Sequence, residues 1–185
     1  MAKIPDWLKK SREGWSHRGQ ARPAFADPTG PGQESVWDYP RPPSLVADPR
    51  EVVVVASGIE LARTRQAKRI LETASPPTFY LPPQDADTEH LRPAQGESLC
   101  EWKGAARYWD FVHPEGARVA KVAWCYDKPF EPFESIAGWL CFYPSRVECY
   151  VDGERVRPQS SEFYGGWITD EVIGPFKGDP GTQGW

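Results

Sequence analysis

Proline and glycine occur so often in this chain that they exclude long helices. Its 185 residues include 20 prolines and 16 glycines, and a proline inside a helix removes a backbone hydrogen bond and clashes with the preceding turn. Nine tryptophans and an aromatic content of 13% add large rings, which are typical of pleated sheets. The composition therefore predicts a compact, mostly β protein, built from short strands with one or two short helices.

One segment has a clear hairpin pattern. The β-branched run 52–56 is followed by a Ser57-Gly58 turn and by the short run 59–63, and this dipeptide tolerates the positive φ that a tight turn needs. Residues 67–73 are good helix formers that end before Pro76-Pro77, which predicts a short helix.

The second half of the chain predicts a meander that follows an irregular stretch reaching to Gly96. Short β-prone runs bounded by turn residues predict strands at 78–81, 99–104, 106–112, 119–126, 139–143 and 147–151. The pattern divides the chain into an N-terminal arm (1–33), a domain (34–157) and a C-terminal docked tail (158–185). The arm is rich in tryptophan and proline, so we expect an extended, irregular strap that packs on the domain or on another subunit.

Charge and hydropathy narrow the function classes. The net charge of −4, together with a single short basic run at 63–69, predicts no nucleic-acid partner. The longest apolar runs, 52–56 and 139–143, are too short to cross a bilayer, and the first residues lack a signal stretch. We therefore expect a cytoplasmic protein with no membrane partner.

The cysteines show no metal-binding spacing. Cys100, Cys125, Cys141 and Cys149 include no Cys-x-x-Cys pair, which structural zinc sites normally use. No metal and no other cofactor is predicted. In a reducing compartment, buried thiols are the expected state.

Several short strings occur in a fixed order between positions 35 and 157. They are Leu71-Glu72-Thr73 with Pro76-Pro77-Thr78-Phe79-Tyr80, then Cys100-Glu101-Trp102-Lys103-Gly104, Tyr108-Trp109-Asp110 and Ala123-Trp124-Cys125-Tyr126. Together they resemble domain-of-unknown-function family number 427, which is sometimes labelled a nucleotidyltransferase. The resemblance implies a β-tent-like fold, whose relatives include zinc-binding, sulfoxide-reducing and aromatic-cage ligand-binding proteins. It implies no known activity, and it leaves the arm and the tail uncovered.

Lys103 is the residue with the strongest candidate chemistry. The following residue, Gly104, permits a ligand to approach closely, so the ammonium group is a candidate to hold an anion. Burial among aromatic rings would lower the pKa of Lys103 towards that of a base or nucleophile. The alternative is a surface lysine whose stem covers a ring. Strand alternation across 100–104 places Trp102 and Lys103 on opposite faces.

Glu72 and Cys100 are the other polar candidates. Glu72 ends the predicted helix and either turns inward to the same site as Tyr80 or forms an ion pair with a neighbouring arginine. Cys100 is a nucleophile if a nearby cation lowers its pKa, and is otherwise a buried strand cysteine.

Aromatic residues on the predicted strands form either core or the wall of a pocket. Trp124 and Tyr126 share a face by the two-residue period of a strand, and Trp102 and Tyr108 lie on other predicted strands of the meander. Rings with polar ends suit a pocket for a flat or cationic ligand.

The nucleotidyltransferase label requires paired carboxylates that hold magnesium. Asp85 and Asp87 have this spacing, although they lie in a proline-bounded loop. His17, His90 and His113 are scattered over arm, loop and turn, which argues against a histidine metal cluster.

These residues leave three functional hypotheses. The first is a small-molecule pocket, with or without catalysis, around Lys103, Glu72, Tyr80 and Trp124. The second is a non-catalytic interaction module in which the arm and the tail dock on another subunit, giving a homodimer. The third is nucleotidyl or phosphoryl transfer by the two aspartates of the acidic loop.

Overall fold

A computed structural model describes residues 6–182 of the chain, apart from the side chain of Ser11. Strands account for 43% of the structure and helices for 7%, which confirms the prediction of a mostly β protein. The described residues form several small sheets, and none of these closes into a barrel.

The chain has one α-helix, α1 (Asp6–Glu13), within the described residues. No helix in this part of the chain is long and apolar enough to cross a membrane. Two 3-10 helices span Pro83–Asp85 and Glu134–Ile136. The strands are β1 (Glu34–Ser35), β2 (Ser44–Asp48), β3 (Val52–Ala56), β4 (Ile59–Thr64), β5 (Ala67–Glu72), β6 (Ser75–Tyr80), β7 (Leu91–Cys100), β8 (Gly104–Val112), β9 (Arg118–Cys125), β10 (Cys141–Phe142), β11 (Glu148–Val151), β12 (Glu154–Arg155), β13 (Arg157–Pro158), β14 (Trp167–Ile168) and β15 (Val172–Ile173).

The predicted hairpin is confirmed at β3 and β4. The two strands pair antiparallel, and Ser57 and Gly58 in the turn take φ values of 49° and 80°. β11 pairs with the other edge of β3 and carries β12, which gives the strand order β12-β11-β3-β4. Alternate valines of β3, Val52 and Val54, are fully buried in the main hydrophobic core.

The helix predicted at 67–73 is wrong, because this segment forms strand β5. β5 is the central strand of an antiparallel sheet in the order β2-β5-β6. Ile70 lies opposite Leu45 of β2 on one side and opposite Thr78 of β6 on the other. Backbone pairing on both edges outweighs helix propensities, which differ by at most about 0.7 kcal/mol per ordinary residue. The two prolines expected to end the helix lie in β6, an edge strand of this sheet, where a missing N–H is tolerated.

The irregular stretch predicted up to Gly96 is also wrong, because β7 begins at Leu91. β7 is the edge strand of the antiparallel sheet β10-β9-β8-β7. A register shift between Pro93 and Glu97 accommodates the proline and the glycine within the strand. Such a bulge at a sheet edge is the usual place for these residue types.

Residues 101–103 form a turn instead of the predicted strand. Cys100 lies opposite Gly104 at the end of the β7–β8 hairpin, and Gly104 has a φ of 100°, which glycine alone adopts readily. A turn does not follow a two-residue alternation, so the predicted placement of Trp102 and Lys103 on opposite faces is wrong. Both side chains are buried.

The arm and the tail pack on the body and on each other. The arm, predicted as irregular, begins its described part with α1, and Leu8 of this helix is buried. Asp27 of the arm donates its backbone N–H to the carbonyl oxygen of Gly174 in the tail at 3.1 Å, and β1, at the start of the domain, pairs in parallel with β15 of the tail. Trp37 Nε1 donates a hydrogen bond to the carbonyl oxygen of Pro175 at 3.1 Å. The described parts of the arm and the tail therefore contact each other.

Candidate functional site

A cavity of about 670 Å³ opens between the body, the arm and the tail. Aromatic rings make up much of its wall. The body supplies Trp37, Tyr80, Trp102, Tyr108, Trp124, Tyr126 and Tyr143, the arm Trp7 and Trp15, and the tail Phe163 and Tyr164. A cavity of this size holds a drug-sized molecule.

The cavity brings together all the site residues proposed from the sequence. These are Glu72, Tyr80, Cys100, Lys103, Tyr108, Trp124 and Tyr126. They come from β5 and β6 of one sheet and from β7, β8, β9 and the adjoining turns of another. Their common location thus depends on the packing of two sheets, and their role in ligand binding stays a prediction.

Lys103 lies at the buried end of the cavity. Its side chain is 10% exposed, and its Nζ is 4.0 Å from a carboxylate oxygen of Glu72, which is too long for a hydrogen bond. Burial by itself lowers the pKa of Lys103, but Cys100, Tyr80 and Glu72 outweigh it and raise this pKa above its ordinary value. The predicted lowering is wrong, because the neighbouring groups favour the ammonium form of Lys103.

Arg41 holds the carboxylate that faces Lys103. Its Nη2 lies 2.9 Å from Glu72 and its Nη1 lies 3.5 Å from Glu101, while only 1% of the arginine side chain is exposed. Nη2 also donates to the carbonyl oxygen of Thr73 at 3.1 Å. Both interpretations of Glu72 therefore hold, because it pairs with an arginine and also lines the cavity.

Three rings form a connected wall. Trp124 Nε1 donates a hydrogen bond to the Tyr80 hydroxyl at 3.2 Å, and the two rings meet edge to face. The centroid of the Trp124 ring lies 4.5 Å from that of Tyr143. Burial raises the pKa values of the Tyr80 and Tyr143 hydroxyls. Both hydroxyls are neutral at physiological pH and offer hydrogen bonds without charge.

Trp102 carries an unsatisfied donor at the turn. The residue is 5% exposed, and its Nε1 has no hydrogen-bond partner among the described residues. The guanidinium of Arg12, in α1, lies 4.6 Å from the centre of the ring. A buried N–H without an acceptor costs about 1–3 kcal/mol. The other contacts of the turn must therefore offset this cost.

The thiols divide into one site residue and three core residues. Cys100 is half-buried and lines the cavity, whereas Cys125, Cys141 and Cys149 are buried, and all are free. Burial raises the pKa values of Cys141 and Cys149. The expectation of buried, protonated thiols is therefore confirmed for these core cysteines.

The arm is attached to the site by cations on aromatic rings. Arg12 donates to the carbonyl oxygen of Glu101 from Nε at 2.8 Å and from Nη2 at 2.5 Å. Two cations contact the ring of Trp15. The guanidinium carbon of Arg41 lies 3.5 Å from the ring centre, and Nζ of Lys177 lies 4.5 Å from it. Such contacts are worth about 0.5–2 kcal/mol each.

The tail approaches the Trp124 wall at a glycine. A Cβ on Gly165 would lie 2.4 Å from Cη2 of Trp124 and 3.1 Å from the Tyr143 ring. Tyr143 also donates from its hydroxyl to the carbonyl oxygen of Phe163 at 3.3 Å. Only a residue without a side chain allows the tail to close on this wall.

Sequence reasoning missed several residues of the site, among them Arg41, Trp15 and Lys177. Arg41 has no local signal, because it lies between prolines in a segment that the sequence describes only as extended. Trp15 and Lys177 lie in the arm and the tail, where aromatic content indicated docking but not the place of docking. The shared signal was the unusual aromatic content of both chain ends.

The acidic loop lies outside the cavity. Asp85 accepts a hydrogen bond from the Thr64 hydroxyl at 2.6 Å. Asp87, Glu89 and His90 each offer a ligand atom within 4.8 Å of the others, and they are the group within residues 6–182 that could hold a metal ion. His90, expected to be isolated, therefore has two carboxylate neighbours. Asp87 and Glu89 are exposed, and exposed acidic groups are common without an ion.

A family model confirms the resemblance that the sequence strings indicated. It matches residues 44–153, more than half of the chain, and its description is Domain of unknown function (DUF427). The matched segment includes Glu72, Tyr80 and Lys103 but excludes the arm and the tail that complete the cavity. No curated protein matches the chain. The chain belongs to the family of domains of unknown function called DUF427.

Proposed function

We propose that the protein binds a small molecule that has an apolar body and an anionic group. The observation that supports this most strongly is the position of Lys103, a buried cation whose carboxylate partner is 4.0 Å away. A buried charge is stable only when it is paired and hydrogen-bonded. Cys100 is the one side chain that hydrogen-bonds Lys103 among its described neighbours, and an anionic ligand in the aromatic cavity would add a charged acceptor.

The charges around the cavity favour an anion over a cation. Glu72, Glu101, Lys103 and Lys177 line the cavity, and the buried Arg41 contacts both carboxylates. The two lysines balance the two carboxylates on the cavity wall, and the buried Arg41 behind the carboxylates adds one further positive charge. The sequence-based alternative of a cationic ligand is disfavoured further because lysine and arginine side chains already occupy rings such as Trp15.

The proposal is limited to binding. The raised pKa favours the protonated form of Lys103, and a protonated amine is a poor general base or nucleophile. A nucleophilic Cys100, transfer chemistry at Asp85 and Asp87, the β-tent arrangement, a homodimer formed through the arms and the cytoplasmic address stay predictions.

A pair of fluorescent probes tests the proposal. Anilinonaphthalene sulfonate and N-phenylnaphthylamine share their rings, but only the first is an anion. We expect the anionic probe to bind the native protein and Lys103→Met to weaken it about tenfold or more, because a charge-assisted hydrogen bond contributes about 1.5–3 kcal/mol. The affinity for the neutral probe should change by less than about twofold.

The matched control is Lys128→Met, which removes an exposed lysine outside the cavity. It should leave both affinities unchanged. Near-ultraviolet circular dichroism must show native packing in every variant, since partly folded states also bind such dyes. Equal binding of the anionic probe by wild type and Lys103→Met, or no binding at all, would refute the proposal.

A further inference from the structure

Three of the four large exposed hydrophobic residues between positions 6 and 182 line the cavity. Trp7, Leu99 and Phe163 are 60%, 46% and 62% exposed, and all three line the cavity. Phe25 is the other large exposed hydrophobic residue among the described ones, and it does not line the cavity. The three mouth residues, which we call the rim, come from α1, β7 and the tail.

Three charged residues of the site are more buried than the rim. The side chains of Lys103, Glu72 and Arg41 are 10%, 20% and 1% exposed. Between these residues and the rim, the wall consists of rings that are almost buried, such as Tyr108 and Trp124, each 7% exposed. A molecule that entered past the rim would meet apolar side chains before it reached Lys103, with Lys177 of the tail beside the Trp15 and Tyr164 rings.

This order is the reverse of the common one. Interfaces between proteins usually have an apolar centre and a polar, solvent-accessible rim. Exposed apolar groups that lie together on a protein surface typically mark a place where something binds. Since the rim residues belong to three separate segments, no single strand or helix forces them to the same opening.

We infer that the ligand is an elongated amphiphile, of the class of long-chain carboxylates, that binds with its anionic head at Lys103 and its apolar chain running outward to Trp7, Leu99 and Phe163. This inference rests on the proposed function, because it places the anion at the same lysine. It adds the shape of the ligand and the direction in which it lies. A compact aromatic anion would fill the buried end and leave the rim exposed.

A series of straight-chain carboxylates from hexanoate to tetradecanoate tests the length of the ligand. Each is titrated as a competitor of anilinonaphthalene sulfonate on the full chain. Because burying one methylene contributes about 0.8 kcal/mol, we expect affinity to rise about fourfold for each methylene that reaches the wall or the rim. The rise should stop once the chain extends beyond the rim into water.

Variants of the rim residues test where the alkyl chain of the ligand lies. Leu99→Ser and Phe163→Ser should lower the affinity for dodecanoate about tenfold and the affinity for hexanoate less than about twofold, since only the long chain reaches these residues. Phe25→Ser removes an exposed ring outside the cavity and should change neither affinity. Lys103→Met should weaken both carboxylates.

The outcomes separate this inference from the proposed function. If hexanoate and dodecanoate bind equally and both depend on Lys103, the elongated ligand is wrong and the anion site stands. If neither the carboxylates nor the anionic dye binds, both are wrong. If light scattering shows a dimer that Leu99→Ser and Phe163→Ser convert to monomer, the rim covers a second copy of the chain and the inference fails.

Discussion

Arg41 and Glu72 form an ion pair with 2.9 Å between Nη2 and the carboxylate oxygen, and the arginine side chain is 1% exposed. Arg41 precedes the first strand of the matched family segment, whereas Glu72 ends β5. The same guanidinium contacts Glu101 in the turn next to Lys103. One buried arginine therefore joins the entry segment, the central strand and the turn of the candidate site.

Removing Arg41 should destabilise the protein strongly. Arg41→Met leaves two carboxylates beside the cavity without their buried partner, and breaking a buried pair in this way typically costs about 3–5 kcal/mol. Urea unfolding measures the loss. Arg22→Met breaks an exposed pair with Asp38 and should cost less than about 1 kcal/mol. Equal losses in the two variants would contradict the central role of Arg41.

Removing the hydroxyl of Tyr80 should destabilise the protein measurably. Tyr80→Phe leaves the buried Trp124 Nε1 without its acceptor at 3.2 Å, and an unsatisfied buried donor costs about 1–3 kcal/mol. The control is Tyr150→Phe, which removes a hydrogen bond to Glu148 near the surface and should cost less than about 1 kcal/mol. Thermal unfolding compares the two, and an unchanged Tyr80→Phe midpoint would show that Trp124 finds another acceptor.

A methyl group at Gly165 should force the tail away from the cavity wall. Its Cβ would lie 2.4 Å from the Trp124 ring, and overpacking of this kind costs about 1–3 kcal/mol. We expect Gly165→Ala to alter the near-ultraviolet circular dichroism of the ring cluster and to lower the unfolding midpoint. At Gly30 a Cβ meets only the Gln33 side chain, at 3.3 Å, so Gly30→Ala should leave both signals near those of wild type.

The stability of the protein in acid should depend on Asp110. Burial by itself raises the pKa of this carboxyl, but the Lys121 backbone N–H and the Arg118 guanidinium outweigh it and hold the pKa below its ordinary value. A lowered pKa in the folded state stabilises the protein above the unfolded pKa of about 3.9, and this contribution is lost as pH falls through the folded pKa.

Asp110→Asn should therefore lower the unfolding free energy near neutral pH and lose less stability than wild type between about pH 5 and about pH 2. Urea titrations at several pH values measure both effects. Asp170→Asn, which removes an exposed partner of Arg157, should keep the acid dependence of wild type because solvent screens such pairs. Parallel acid curves for wild type and Asp110→Asn would exclude this contribution.

Arg12 should control the attachment of the arm. Arg12→Ala removes two hydrogen bonds to the Glu101 carbonyl and the contact with the Trp102 ring. We expect faster proteolytic cleavage within residues 14–33, with the global unfolding free energy changed by less than about 1 kcal/mol, because local opening does not require global unfolding. Lys9→Ala breaks only an exposed pair with Asp6. Cleavage of both variants at the wild-type rate would show that other contacts hold the arm.

Local chemistry was enough to predict part of the fold. The hairpin β3–β4 follows from a β-branched run and a turn dipeptide, both within a few residues of each other. Residues 67–73 show the limit, since their helix propensity is real but small, and pairing with β2 and β6 outweighs it. The turn at 101–103 was missed for a similar reason, because the register of β7 and β8 decides where the hairpin ends.

By itself, the sequence determined the mostly β class, the family and the set of residues that carries candidate chemistry. Only the tertiary structure decided that Glu72, Tyr80 and Lys103 meet in one cavity, that Arg41 joins them, and that the arm and the tail close over it. The physical reason is the distance along the chain over which each effect acts, since turn and strand preferences depend on a few neighbouring residues. The charge state of Lys103 and the shape of the cavity depend instead on groups that are distant in the chain and adjacent in space.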